Sequence, residues 1–140
     1  MSKVLPKPSL VTQLAWRIFY VFNCFLVFLQ VASLPAVPVF GVMEVLDLVV
    51  SLALFVALSG FVFFKGIGAV IYWRYFFYVA LVEVVVVLVV FPVFKLPLYG
   101  ALMTTDSWLL NLGYLGLNLW ALNLYAFKYR FIWVSDLGHD

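Results

Sequence analysis

Glu83 is the only carboxylate between Asp47 and Asp106, and it opens directly onto the run Val84-Val85-Val86-Val87-Leu88-Val89-Val90. A carboxyl group surrounded by hydrocarbon can carry a proton or coordinate a cation. Its ionised form costs about 2.5–3.5 kcal/mol at mid-bilayer on insertion scales, so such a residue is functional by default or is neutral and hydrogen-bonded. The candidate companions are amides, hydroxyls and one further acid. Asn23 and Gln30 are seven residues apart, as are Asn111 and Asn118; at about 3.6 residues per turn each pair falls on one helix face. Tyr114 shares the face of its two asparagines, and Asp47 that of Ser51.

Other chemistries are excluded by what the chain lacks. Its single cysteine, Cys24, excludes an intramolecular disulfide, a CxxC pair and a cysteine zinc site, and reads as a small buried hydrophobe. The one histidine, His139, cannot supply both axial ligands of a bis-histidine haem. A net charge of +2 without a basic block removes nucleic acid as a partner. There is no nucleophile–base pair, no metal cluster and no Gly-rich phosphate loop, so neither catalysis nor a cofactor is expected.

The elements that position Glu83 and its companions follow from composition. The chain is 68% hydrophobic and 10% charged, with a mean hydropathy of +1.20. One small soluble core cannot hide that much apolar surface in 140 residues, so the fold class is all-α integral membrane. Four stretches reach the roughly 20 residues needed to cross a bilayer, at 14–34, 43–64, 70–91 and 107–127. They form a single transmembrane domain with no soluble domain. The valine run is β-prone in water, but a lone strand in lipid leaves its backbone groups unpaired, so a helix is expected.

Pro35, Pro38 and Gly41 break the first span from the second. Lys65-Gly66-Ile67-Gly68 turns the second into the third, and Pro92, Lys95, Pro97 and Gly100 separate the third from the fourth. Thr104, Thr105 or Asp106 can cap the last helix. Short connections predict an up-down-up-down bundle. Lys3, Lys7, Arg17, Lys65, Arg74, Lys128 and Arg130 then share one side against Lys95 alone. By the positive-inside rule both termini face the cytoplasm, or the matrix or stroma of an organelle. The expected location is a bacterial or archaeal cytoplasmic membrane or an organellar inner membrane. Val31-Ala32-Ser33 fits a signal-cleavage pattern, but the length of the first segment and its Asn23 and Gln30 suit a span better.

Helical rise places Gln30, Asp47 and Asn111 at a depth of about 24–26 Å from the inner end, Glu83, Ser51 and Tyr114 at about 20 Å, and Asn23 and Asn118 at about 14 Å. One inward polar seam is expected, in which a neutral Glu83 bonds Tyr114 or Asn118. The plainer reading is interhelical glue worth about 0.6 kcal/mol per bond. For Glu44 and Asp47 a plainer one still is complementarity to the dipole of the second helix. Phe61, Phe63, Phe64, Phe76 and Phe77 are expected to face lipid or a neighbouring subunit. Gly113 and Gly116 do not match GxxxG spacing but would permit close helix approach. Trp16, Trp73 and Trp108 fit interfacial positions. The tail Lys128, Tyr129, Arg130, Phe131 and Trp133 fits an inner-interface or partner-docking segment.

Three functions are compatible with this pattern. The first is a non-catalytic accessory subunit of a larger membrane complex, of respiratory, secretion or transport type, whose partners are membrane lipid and other membrane subunits. The second is a small ion- or proton-coupled transporter or channel, homo-oligomeric, using Glu83 with Asp47 at the outer approach. The third is a lipid- or quinone-binding protein anchored by Tyr114 and Asn118.

Overall fold

The computed structural model describes residues 7–33, 41–90, 93–94 and 105–134. Its elements are α1 (Leu10–Ser33), α2 (Val42–Val62), α3 (Val70–Val85), α4 (Thr105–Asn123) and the single turn α5 (Phe131–Val134). The wider π-helical turns Val86–Val90 and Leu124–Lys128 continue α3 and α4. No strand occurs among the described residues. The connections expected at Pro35 and Pro38 and at Pro92, Lys95, Pro97, Gly100 and Thr104 lie outside them, as do Lys3 and His139.

α1 begins four residues before its expected start because Ser9 caps it. The Ser9 hydroxyl accepts from the Thr12 backbone N–H at 3.3 Å, and the Gln13 amide donates to the Pro8 carbonyl at 2.7 Å. The first bond satisfies a backbone donor that a helix start otherwise leaves open, and the second ties the Gln13 side chain to the entering chain. α2 ends differently from the expectation of a turn made by two glycines. The Lys65 N–H reaches the Gly60 carbonyl at 2.9 Å and the Phe64 N–H the Phe61 carbonyl at 3.3 Å, which is a Schellman cap. The left-handed residue of that cap is Phe64 (φ 53°), held by its ring contact with Phe131 at 5.7 Å, while Gly68 (φ 69°) provides the second reversal.

Three helices are long and apolar enough to cross a membrane: Leu10–Ala32, Val45–Val62 and Val70–Val90. The fourth expected span, 107–127, is helical but is not among them, because Asn111, Asn118 and Asn123 dilute its apolar character. Contacts fix the relative directions. Gln30 meets Asp47 and Trp16 meets Phe61, so α1 and α2 run oppositely. Trp108 meets Leu88 and Arg74 meets Ala126, so α3 and α4 do the same. α4 packs against both α2 and α3.

The apolar core is concentrated toward one end, where α2 and α4 finish. Phe61, Leu58, Leu122, Tyr125 and Ile132 are all fully buried there. Phe61 is thus a core residue rather than an outward one, and Phe64, Phe76 and Phe77 pack against that core; only Phe63, 58% exposed, keeps its expected place. Beyond Ser51, α2 is apolar at every position but Ser59 and Gly60, so periodicity could not choose the buried face of that half. A Cβ at Gly113 or Gly116 would meet nothing within 4 Å, so neither serves close helix packing. That role belongs to Gly60, where a Cβ would lie 2.5 Å from the Tyr125 hydroxyl.

Candidate functional site

The polar side chains of the seam meet in two groups. In the first, the Tyr114 hydroxyl of α4 donates to Asn23 Oδ1 of α1 at 2.9 Å. Asn23 is 1% exposed, and its own amide donates back to the Phe19 carbonyl at 2.9 Å. Asn118 lies one turn beyond Tyr114 and donates to the Tyr114 backbone carbonyl at 3.0 Å. This bond leaves Asn118 Oδ1 buried with no hydrogen-bond partner. An acceptor of that kind suits a trapped water or an incoming donor.

The second group joins α1, α2 and α3 about two turns further along α1 from the core. Gln30 donates to Asp47 Oδ2 at 3.4 Å, as their matching depths anticipate. The Glu83 carboxyl comes within hydrogen-bonding and Coulombic reach of Asp47. The Glu83 neighbour is therefore a second acid and not Tyr114 or Asn118, whose donors are turned to Asn23 and to the α4 backbone. Two carboxyl groups can share a hydrogen bond only when one of them carries the proton. Ser51 and Asn111 are half-buried and make no side-chain hydrogen bond among the described residues.

The tail residues fold back on the bundle end. Tyr129 and Ile132 are buried, Tyr129 stacks on Phe61 at 5.6 Å, and Phe131 packs on Tyr129 at 5.5 Å. The Trp133 indole donates to the Tyr125 carbonyl at 2.9 Å. Of the tail residues Arg130 is exposed, and Lys128 is half-buried.

Three positioning residues were not legible in advance. Tyr125, fully buried, accepts from the Ile67 N–H at 2.9 Å and donates to the Lys65 carbonyl at 3.0 Å, pinning the α2–α3 turn to α4. Arg74 Nε donates to the Ala126 carbonyl at 3.2 Å. With the Tyr129 N–H on the Leu124 carbonyl and Trp133 on that of Tyr125, it satisfies carbonyls that the end of α4 would leave open. Trp108 donates to the Leu88 carbonyl at 2.8 Å. That carbonyl's ordinary helical partner would be residue 92, a proline without an N–H. The proline was the readable signal; the donor that answers it was not. No protein-family model matches this chain, and comparisons with curated proteins and with solved structures likewise found no match.

Proposed function

We propose that this chain is a non-catalytic accessory subunit of a larger membrane assembly. Its four helices cross the membrane up-down-up-down, with both termini on the cytoplasmic, matrix or stromal side. The observation that carries this reading is the contrast between a closed interior and an open exterior on α1. The buried polar residue of α1, Asn23, is bonded to Tyr114, whereas Leu14, Ile18, Val21, Phe25 and Phe28 are each 58–67% exposed. A helix held to its own bundle through the Asn23–Tyr114 and Gln30–Asp47 bonds and showing a long apolar stripe outward is suited to packing against lipid and a second membrane protein.

The orientation draws support from the basic end, where Lys7 lies over the Phe64 ring and Lys65, Arg74, Lys128 and Arg130 gather around the same helix ends. Purification of the tagged protein in a gentle detergent, followed by mass determination, tests the proposal. Stoichiometric co-purification with other membrane subunits is expected, and its loss on Phe25→Ser/Phe28→Ser. A chain that runs as a monomer or a homo-oligomer overturns it.

A second reading, proton- or cation-coupled transport, is favoured by the proximity of Glu83 and Asp47. Glu83→Gln keeps the shape and removes the ionisation. In vesicles holding the purified chain, proton flux that vanishes in this variant supports transport; flux that is absent, or that survives the change, removes it. The quinone-binding alternative gains no comparable observation, because Tyr114 and the Asn118 amide are engaged inside the bundle.

A further inference from the structure

Arg74, Lys128 and Arg130 line one cleft of about 430 Å³ at the basic end of the bundle, with Asn123, Tyr78 and Phe127 completing most of its wall. Three formal positive charges face this space, and no carboxylate lines it among the described residues. Arg74 is held in place twice: its Nε is fixed on the Ala126 carbonyl, and its guanidinium lies 5.8 Å from the Phe127 ring centroid. The remaining guanidinium N–H groups make no bond to another described residue, so a planar donor fork is already oriented in the cleft. Lys128 and Arg130 add two further cations, and Asn123 and Tyr78 add neutral donors. Several converging donors and three charges match the oxygens of a phosphate group.

The surroundings of the cleft say where such a phosphate comes from. Tyr78, in its wall, belongs to a stripe on α3 formed by Tyr75, Tyr78, Val82, Val85 and Val89, which are 48–68% exposed. Their spacing of three and four residues makes a continuous track leading away from the basic end. An acyl chain can lie along that track while its phosphate sits among the cations; a soluble phosphate compound would leave the track bare. We propose that this cleft binds the phosphate group of an anionic phospholipid, with Arg74, Lys128 and Arg130 holding the headgroup and the α3 stripe receiving a chain. Basic clefts between membrane helices on the positive side are suited to such headgroups. The proposal rests on the membrane placement given above and not on the accessory role.

The test uses the full chain, delipidated in a non-ionic detergent, with bound lipid read by native mass spectrometry. Phosphatidylglycerol, phosphatidylcholine with the same chains, and inorganic phosphate are the probes. Phosphatidylglycerol is expected to be retained about tenfold or more over phosphatidylcholine. Lys128→Gln/Arg130→Gln should lower that retention about 25-fold, at about fivefold per cation. Neither side chain makes an intrachain hydrogen bond among the described residues, so helicity should be kept. Arg17→Gln/Lys65→Gln, an equal charge loss outside the cleft, should change it less than about twofold. Equal retention of the two lipids, or an equal effect of both double variants, overturns the site. Inorganic phosphate displacing phosphatidylglycerol at equal concentration would make the ligand a soluble phosphate compound and overturn the lipid assignment. Release of the chain from membranes by alkaline extraction would instead refute the membrane placement, which separates the two failures.

Discussion

The bond between Tyr114 and Asn23 joins α1 to α4 at the deepest polar point of the seam, and a double-mutant cycle across it measures what the seam is worth. Tyr114→Phe removes the donor and leaves Asn23 Oδ1, in a residue 1% exposed, without it. An unsatisfied buried acceptor costs about 1–3 kcal/mol in soluble proteins, and bonds between membrane helices average about 0.6 with a maximum near 1.7. With a bond length of 2.9 Å and almost complete burial, a loss of about 1–2 kcal/mol is expected.

Asn23→Leu keeps the branching at Cγ and should cost about 1 kcal/mol through the orphaned Tyr114 hydroxyl. The amide's other bond, to the Phe19 carbonyl, reinforces an acceptor already within the helix ladder, so its loss adds little. In the double variant both polar partners are gone and an apolar pair remains. Its cost should fall below the sum of the single costs by about 0.6–1.7 kcal/mol. Equilibrium unfolding in mixed detergent micelles, followed by far-UV circular dichroism, reads all four corners of the cycle. Additivity to within about 0.3 kcal/mol would mean the two side chains do not interact, and the placement of α1 on α4 would be wrong.

Gly60→Ala should destabilise the chain by about 1–3 kcal/mol, because the new Cβ meets the Tyr125 hydroxyl at 2.5 Å and the Lys65 carbonyl at 2.9 Å, and the backbone atom cannot move aside cheaply. A thermal midpoint unchanged from the parent would contradict this close approach, while Gly113→Ala serves as the neutral reference, since nothing lies within 4 Å of its Cβ. Trp108→Phe keeps the ring but removes the donor to the Leu88 carbonyl, at an expected cost of about 1 kcal/mol. Hydrogen exchange of the Val86–Val90 turn should quicken in that variant, and unchanged protection there would show that the carbonyl has another donor.

What could be read from the sequence was set by whether a signal is local. Length and apolarity locate α1, α2 and α3 without reference to one another. A depth scale of about 1.5 Å per residue pairs Gln30 with Asp47, because both sit at the same level. The same scale left Tyr114 a turn from Asn23, and the bond exists because a tyrosine reaches further than its Cα suggests. The sequence predicts an amide or a phenol beside Glu83, and the side chain there is another acid. Like charges argue against such a pairing unless a proton is shared, and sequence does not report protonation. Phe61 and Gly60 were unreadable for a different reason. The half of α2 beyond Ser51 is apolar around almost its whole circumference, so the face that meets Tyr125 and Tyr129 is chosen by α4 and α5, not by the α2 sequence.

The two halves of the bundle bear unequally on the competing functions. Asp47 and Glu83 lie toward one end, with Asn23, Tyr114 and Asn118 behind them. Between these groups and the basic end stands the core built on Phe61, Leu122, Tyr125 and Ile132, each 0–1% exposed. A proton or cation leaving Glu83 for the basic side would have to pass it. Opening that core requires α2 to part from α4, which breaks the Phe61–Tyr129 stack and both bonds of the Tyr125 hydroxyl. Each of those buried bonds opposes the opening by about 1 kcal/mol, and exposed apolar side chains oppose it further. Transport therefore demands a second, open arrangement of these helices, whereas the accessory role uses the closed one. On the proposed accessory role the seam would serve as a fixed polar staple among apolar helices, with the outward stripes of α1 and α3 as the surfaces that meet its surroundings.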